Sequence, residues 1–323
     1  ALKAAEVGLK TADQQLRLFR QAAFRDVSIA FYDVLLAKEL HRLAQENLAQ
    51  KERHHTEAKR KFEAGVATDY DLLAAEVELQ NARPELIRTE NSIRTSRERL
   101  RFLLGADQPE LDVAGRIEAK PEQIPGFDES LKIALDKRPE LADQKLRIGI
   151  NQELVTIANA DDKPRLDLKG TAGWHQLEVS DPGPRRQSDG PAWNAGIYLT
   201  FPFFDGLRSR GRTQQARSDL RTSQLQEQKL RDSIALELRT ARYNLAESAE
   251  TITALSGTVK QAERLLQMAE KGFEYGVKTR LEVDDAQTNL LRAQSNLARA
   301  NRDYLAASVN LLWAMGMAGE QEL

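Results

Sequence analysis

The side chains able to carry chemistry are few, and their spacing argues against catalysis. The chain has no cysteine, which excludes disulfides, thiolate metal sites and cysteine nucleophiles. Its four histidines, His41, His54, His55 and His175, do not form a ligand set. His54 and His55 fall in a polar helical stretch, where imidazoles are ordinarily solvated. There is no nucleophile–base pair, no phosphate-cradling glycine loop and no metal-ligand spacing. The polar groups that do recur at a set spacing are Thr68 with Asp71, and Thr279 with Glu282. A hydroxyl followed three residues later by a carboxylate is a capping box, in which each side chain satisfies the other residue's backbone amide. Arg208, Arg210 and Arg212 alternate just after an apolar segment, where they could meet phosphates or form a solvated helix entry.

The chain of 323 residues is long enough for two ordinary domains. Its net charge of −2 and its 30% of charged residues are interspersed, so no clustered basic face marks a nucleic-acid partner. No apolar run approaches the roughly 20 residues of a membrane-spanning helix. No secretory signal opens the chain. Ala1 falls in mid-helix pattern, so the sequence is expected to be processed, truncated or trimmed.

The elements that position the capping boxes come in duplicate. Residues 62–105 align without a gap onto 273–316. Identical pairs include Phe62/Phe273, Gly65/Gly276, Thr68/Thr279, Ala75/Ala286, Leu79/Leu290, Leu100/Leu311 and Gly105/Gly316, and the register extends back through Tyr32/Tyr243 and Arg20/Arg231. Residues 1–105 and 212–316 are therefore two copies of one helical unit, with a period far longer than that of small solenoids. Residues 1–62 hold only Gly8 among glycines and prolines and read as one helix about 90 Å long. A polar rod of that length needs partners along it, as in a coiled coil. Gly65 ends it by supplying a left-handed cap. Thr68 starts the next helix, which runs to Gly105 with Pro84 inside it, a residue expected to kink it. So tight a turn makes each copy an antiparallel helical hairpin. The first spans 1–105 with its tip at 65–68, and the second spans 205–316 with its tip at 276–279. Residues 106–127 are a linker, 128–160 a further helix touched by Pro139, and 317–323 a tail. Helices 68–104 and 128–159 laid end to end match the first long helix, so a long helix packed against two shorter, stacked ones is expected.

Residues 164–204 differ in kind. Leu166, Leu168, Gly170, Ala172 and Trp174 alternate with polar residues. After a polar loop, Trp193, Ala195, Ile197, Leu199, Phe201 and Phe203 do the same. Period two over about ten residues, twice, is a β-hairpin. Trp174 and Trp193 at one end, with Phe201 and Phe203 at the other, match the two aromatic girdles of a membrane strand. The competing reading is an amphipathic hairpin packed over a soluble core. Two strands alone would leave unpaired edges in hydrocarbon. The repeat implies a counterpart hairpin upstream of residue 1, giving four strands, with closure supplied by other chains.

These features together resemble the TolC family of outer-membrane efflux proteins: the FxxGxxT tips, Pro164-Arg165-Leu166 entering the hairpin, Phe201-Pro202-Phe203-Phe204-Asp205-Gly206 leaving it, and the Leu-rich ends at Gly105 and Gly316. The resemblance covers essentially the whole chain but lacks the family's first β-hairpin and the helix before it. It implies a mainly α fold with a small β part and a homotrimer in the Gram-negative outer membrane. The barrel would be shared between subunits, and a long helical tunnel would lie in the periplasm. It implies a passive exit duct for efflux or secretion, without cofactor, docking on a periplasmic adaptor and an inner-membrane pump. The residues implied at the entrance are Glu282 and Asp285, with Asp284 as a competing solvated acid. Those implied for a polar latch between the hairpins are Asp71 and Lys278, and Phe273 stands where the family often has tyrosine. The tips Gly65-Val66-Ala67-Thr68 and Gly276-Val277-Lys278-Thr279 match the adaptor-docking region. The alternative is a soluble periplasmic coiled-coil adaptor or scaffold.

Overall fold

The computed structural model describes residues 2–107, 112–121, 123–179 and 186–320. The order is α1 (Leu2–Glu63), α2 (Asp69–Leu104), α3 (Phe127–Lys137), α4 (Pro139–Ala160), β1 (Arg165–Val179), β2 (Arg186–Thr200), α5 (Arg208–Glu274) and α6 (Arg280–Ala314). The chain divides into two compact units: Ala1–Asp13 with Ala142–Lys229, and Gln14–Leu141 with Leu230–Leu323.

In the larger unit, four glycines end helices in the same way. Gly65, Gly105, Gly276 and Gly316 all adopt positive φ. At the first tip the Val66 amide donates to Lys61 O and the Gly65 amide to Phe62 O, both at 2.9 Å. At the second, Val277 donates to Gly272 O at 2.8 Å and Gly276 to Phe273 O at 3.0 Å. These paired bonds satisfy carbonyls that the helix leaves without donors. Helix α2 continues through Pro84 as one element.

The hairpins close on coiled-coil seams. Along α6, Val283, Ala286, Leu290, Ala293, Ala300, Tyr304, Ala307, Leu311 and Ala314 are buried, and with the partly buried Leu297 they step alternately by three and four. That is a heptad pattern in which alanine recurs every seventh residue, letting the facing helix approach closely. Across the seam, Ala269 meets Val283 and Ala286, Ala262 meets Leu290 and Ala293, and Leu238, Ala241 and Leu245 join Tyr304, Ala307 and Leu311. The other side of α6 faces α1. Gln21 donates to Gly316 O at 2.8 Å, Arg302 pairs with Asp33 at 2.7 Å, and Lys51 pairs with Asp284 at 3.1 Å. Contacts further along α1 meet residues further back along α6 and its cap, so the two run antiparallel. The α1–α2 hairpin is held by Ala30, Val34 and Leu100, a His41–Thr89 contact of 3.0 Å and Lys51–Glu78 at 2.8 Å. Duplicated positions differ in burial because α6 is covered by two helices: Ala286 is buried, whereas its counterpart Ala75 is only partly covered.

The expected helix over 128–160 is two helices. Pro139 opens α4, where its missing N–H costs nothing, and Arg138 before it is extended, with ψ 121°.

In the smaller unit, α4 runs antiparallel to α5. Gln144 and Asn151 both hydrogen-bond Ser223, at 2.8 and 2.6 Å, and the Thr213 hydroxyl donates to Ala158 O. Among described residues these interhelix hydrogen bonds join α4 to α5, and the first residues of α1 belong to the same unit. Helix lengths alone do not choose between two long helices.

The hairpin is antiparallel, with Leu166 opposite Leu199, Leu168 opposite Ile197, Gly170 opposite Ala195, Ala172 opposite Trp193 and Trp174 opposite Pro191. This register puts both apolar sets on one face. Asp167, Lys169, Thr171 and His175 lie on the other with Tyr198, Gly196, Asn194 and Gly190. The strands outrun the expected ten residues, reaching 15 each, because the backbone ladder is indifferent to side-chain polarity. Residues 180–185 of the expected loop lie outside the described residues. Strand β2 stops at Thr200, so Phe201 and Phe203 lie just beyond the sheet, not on it; Pro202 has no N–H for a ladder. The apolar face is open. Leu168 is 82% and Trp193 80% exposed, so the hairpin is not a lid over the protein's own core.

Candidate functional site

Both capping boxes form at the helical tips. The Thr68 amide donates to Asp71 Oδ2 at 2.9 Å, and the Asp71 amide donates back to Thr68 Oγ1 at 3.2 Å. At the second tip the Thr279 amide donates to Glu282 Oε2 at 2.8 Å. Lys278 Nζ donates to Glu282 Oε1 at 2.5 Å. That ammonium bond, followed by the Thr279 amide, pulls the Glu282 carboxyl down to about 2. The Thr68 amide lowers Asp71 in the same way. Lys278 and Asp71 therefore each find their partner within their own tip. The structure does not bring them together as a latch, because a partner three or four residues away in one helix is reached before one across a hairpin gap.

Asp285, on the next turn of α6, is exposed and makes no side-chain hydrogen bond or ion pair among the described residues. It is free to line an aperture. Asp284 is not the solvated acid expected of it: its side chain is only 13% exposed. It accepts from Lys51 of α1 and lies 3.3 Å from Arg280 on its own helix. Phe273 lies beneath two cations, Lys61 and Arg280, each 5.7 Å from the ring centre. Beyond the caps the tips carry uncovered apolar side chains: Val66, Tyr70, Tyr275 and Val277 are all exposed.

Sequence reasoning missed a second cluster. Arg138 is buried, with its guanidinium paired to Glu140 at 2.7 Å and to Glu237. It also stacks over Trp313 at 4.8 Å, and Arg25 approaches the same ring at 4.7 Å. Its only sequence signal is the residue-before-proline position. At the start of α5, Asp205 accepts from the Ser209 amide at 2.7 Å. Arg212 reaches Asp161 at 3.2 Å, whereas Arg208 and Arg210 are exposed. No group of three or more histidine, aspartate or glutamate side chains among the described residues is placed to hold a metal ion.

The chain is 26% identical over 331 residues to the outer membrane protein TolC of Vibrio cholerae, covering 100% of this chain and 74% of that protein. It is 27% identical over 320 residues to the alkaline protease secretion protein AprF of Pseudomonas aeruginosa, covering 97% of this chain and 65% of the relative. The chain thus spans about two thirds to three quarters of the length of these relatives. Its fold superposes on the Campylobacter jejuni CmeC outer membrane channel with TM-score 0.81 at 16% identity, covering 98% of this chain and 67% of that one. The family model described as outer membrane efflux protein matches residues 1–106 and 131–317. A match over that much of a chain built from duplicated rods and an open-faced strand pair places it: the chain belongs to the outer membrane efflux protein family.

Proposed function

We propose that the chain is the greater part of a subunit of an outer-membrane exit duct, a passive conduit rather than an enzyme, that serves efflux or secretion. The observation that carries this reading is the hairpin register. From Leu166 to Trp174 the apolar face covers roughly 27 Å, close to the ~25 Å apolar band of a membrane barrel, and none of it is covered by the chain itself. Both outer edges of this two-stranded sheet need partners in hydrocarbon. Further strands must flank them, which supports a homotrimer sharing one barrel. Uncovered apolar side chains such as Ile87, Phe102 and Tyr243 on the rods supply contact surface for neighbouring subunits. Three copies of Asp285 around the entrance would select cations. The valine–tyrosine tips offer a periplasmic adaptor an apolar surface, and through the adaptor an inner-membrane pump.

Single-channel recording of the full-length protein in planar bilayers tests the proposal. Stable cation-selective conductance is expected from protein that needs detergent for extraction. Protein that is soluble without detergent and silent in the bilayer overturns the proposal.

A further inference from the structure

Away from the tip caps, charged groups from three helices converge on one point. Lys51 of α1 is 9% exposed, and its ammonium donates to Glu78 of α2 at 2.8 Å and to Asp284 of α6 at 3.1 Å. Arg280, one turn before Asp284, approaches the other carboxylate oxygen at 3.3 Å. His54, one turn after Lys51, lies with Nδ1 3.7 Å from the oxygen that Lys51 holds. The side chains of Lys51 and Asp284 are almost closed to water, at 11% and 13% exposure. We infer that Lys51, Asp284 and Arg280 form an ionic clasp that positions the second hairpin against the first, and that His54 makes the clasp yield to acid.

The charges balance only while His54 is neutral. Two cations, Lys51 and Arg280, face two carboxylates, Glu78 and Asp284. The nearby Glu57 is matched by Lys61 at 2.7 Å. A proton on His54 adds a third cation inside a site where charge is weakly screened. Burial, and then the facing Arg280, hold the imidazole below its usual 6.5, with Lys51 acting in the same direction and Asp284 and Glu57 opposing. The sign follows by linkage. A histidine that binds its proton less well in the joined state disfavours that state as pH falls below 6.5, and the joined state is fully favoured above it. The clasp is also under-bonded: among the described residues His54 Nδ1 and Arg280 Nη2 are buried without a hydrogen-bond partner. A partly satisfied polar cluster is weaker than an apolar contact of the same size, so small changes in charge can release it. Lys51 and Asp284 lie 233 residues apart in the chain, so their bond spans the two copies of the repeat. The tip pairs Lys278–Glu282 and Thr68–Asp71 do not.

The consequence for transport rests on the duct reading, and two readouts separate them. In planar bilayers at neutral pH, Asp284→Asn should raise open probability several-fold and Asp284→Glu should restore it. Open probability of the unaltered channel should rise several-fold between about pH 7.5 and pH 5.5, and His54→Gln should flatten that profile. Because the chain has no cysteine, spin labels can be placed uniquely on the exposed Thr56 and Thr288. Their separation should lengthen on acidification in the parent protein but not with His54→Gln. An unchanged label distance, or a His54→Gln channel that keeps its pH profile, overturns the clasp. A full-length protein that shows the label response but no conductance at any pH upholds the clasp and overturns the duct.

Discussion

At the scale of single residues, the tips are built from groups whose roles follow from their own backbone. Gly65 and Gly276 sit at φ 73° and 72° with open space around the missing Cβ. Gly65→Ala should therefore cost only the left-handed strain of about 1 kcal/mol, read as a small shift in the denaturant midpoint with an unchanged slope. Glu282 is both cap and ion-pair partner. Its carboxyl is held near 2 against an ordinary 4.5. A depressed acid stabilises the tip above about pH 4.5 and loses that contribution as pH falls toward 2. The protection factors of the Thr279 and Glu282 amides, taken relative to intrinsic exchange at each pH, should fall over that window, and Glu282→Gln should remove that change. Asp285 has no such internal duty. Asp285→Asn should leave unfolding within about 0.5 kcal/mol of the parent while lowering cation selectivity and multivalent-cation block in bilayers. Equal loss of stability and selectivity would point to a structural role instead.

At the scale of elements, the same alternation rule separates the two faces of the hairpin. Leu168 opposes Ile197 on the apolar face, and Thr171 opposes Asn194 on the polar one. A lysine on the lipid side near mid-depth costs about 2–4 kcal/mol, and one facing a lumen costs little. Leu168→Lys should therefore reduce the outer-membrane fraction of the full-length protein sharply, whereas Thr171→Lys should not. Equal losses from both would mean the hairpin does not meet lipid on one face. The helices obey a different period. The alternating large residue and alanine of α6 draws α5 close on one side, and α1 covers another, which is why α6 buries twelve residues and its sequence counterpart α2 only four.

At the scale of the folded chain, the larger unit is tied at one hub. Trp313 lies between Arg25 and Arg138, Arg138 pairs with Glu237, and Gln21 donates to Gly316 O. Here α1, the α3–α4 break, α5 and the end of α6 converge. Gly316 shares its positive φ with Gly65, but a Cβ on it would meet the Arg138 amide nitrogen and the Lys137 carbonyl carbon at 2.9 Å. Backbone atoms cannot swing aside. Gly316→Ala should thus cost at least about 2 kcal/mol more than Gly65→Ala, since overpacking adds to the left-handed strain. Parallel urea titrations of the two variants measure the difference; equal shifts would mean the hub relaxes freely.

The sequence alone was enough for everything that depends on local rules. The 211-residue repeat located both tips, and glycine and threonine at matched positions specified the caps. Alternation assigned the apolar residues of the hairpin to one face, and the register bears this out. These features were legible because helix ends, turns and strand faces are decided by neighbours within a few residues. The tertiary structure decided what distant residues do to one another. Asp284 reads as a solvated acid until α1 brings Lys51 and His54 beside it, and the sequence singles out nothing at Arg138, whose partners Glu237 and Trp313 come from α5 and α6. Coulomb energy and desolvation depend on separation in space and exclusion of water, and neither is written in residue spacing along the chain.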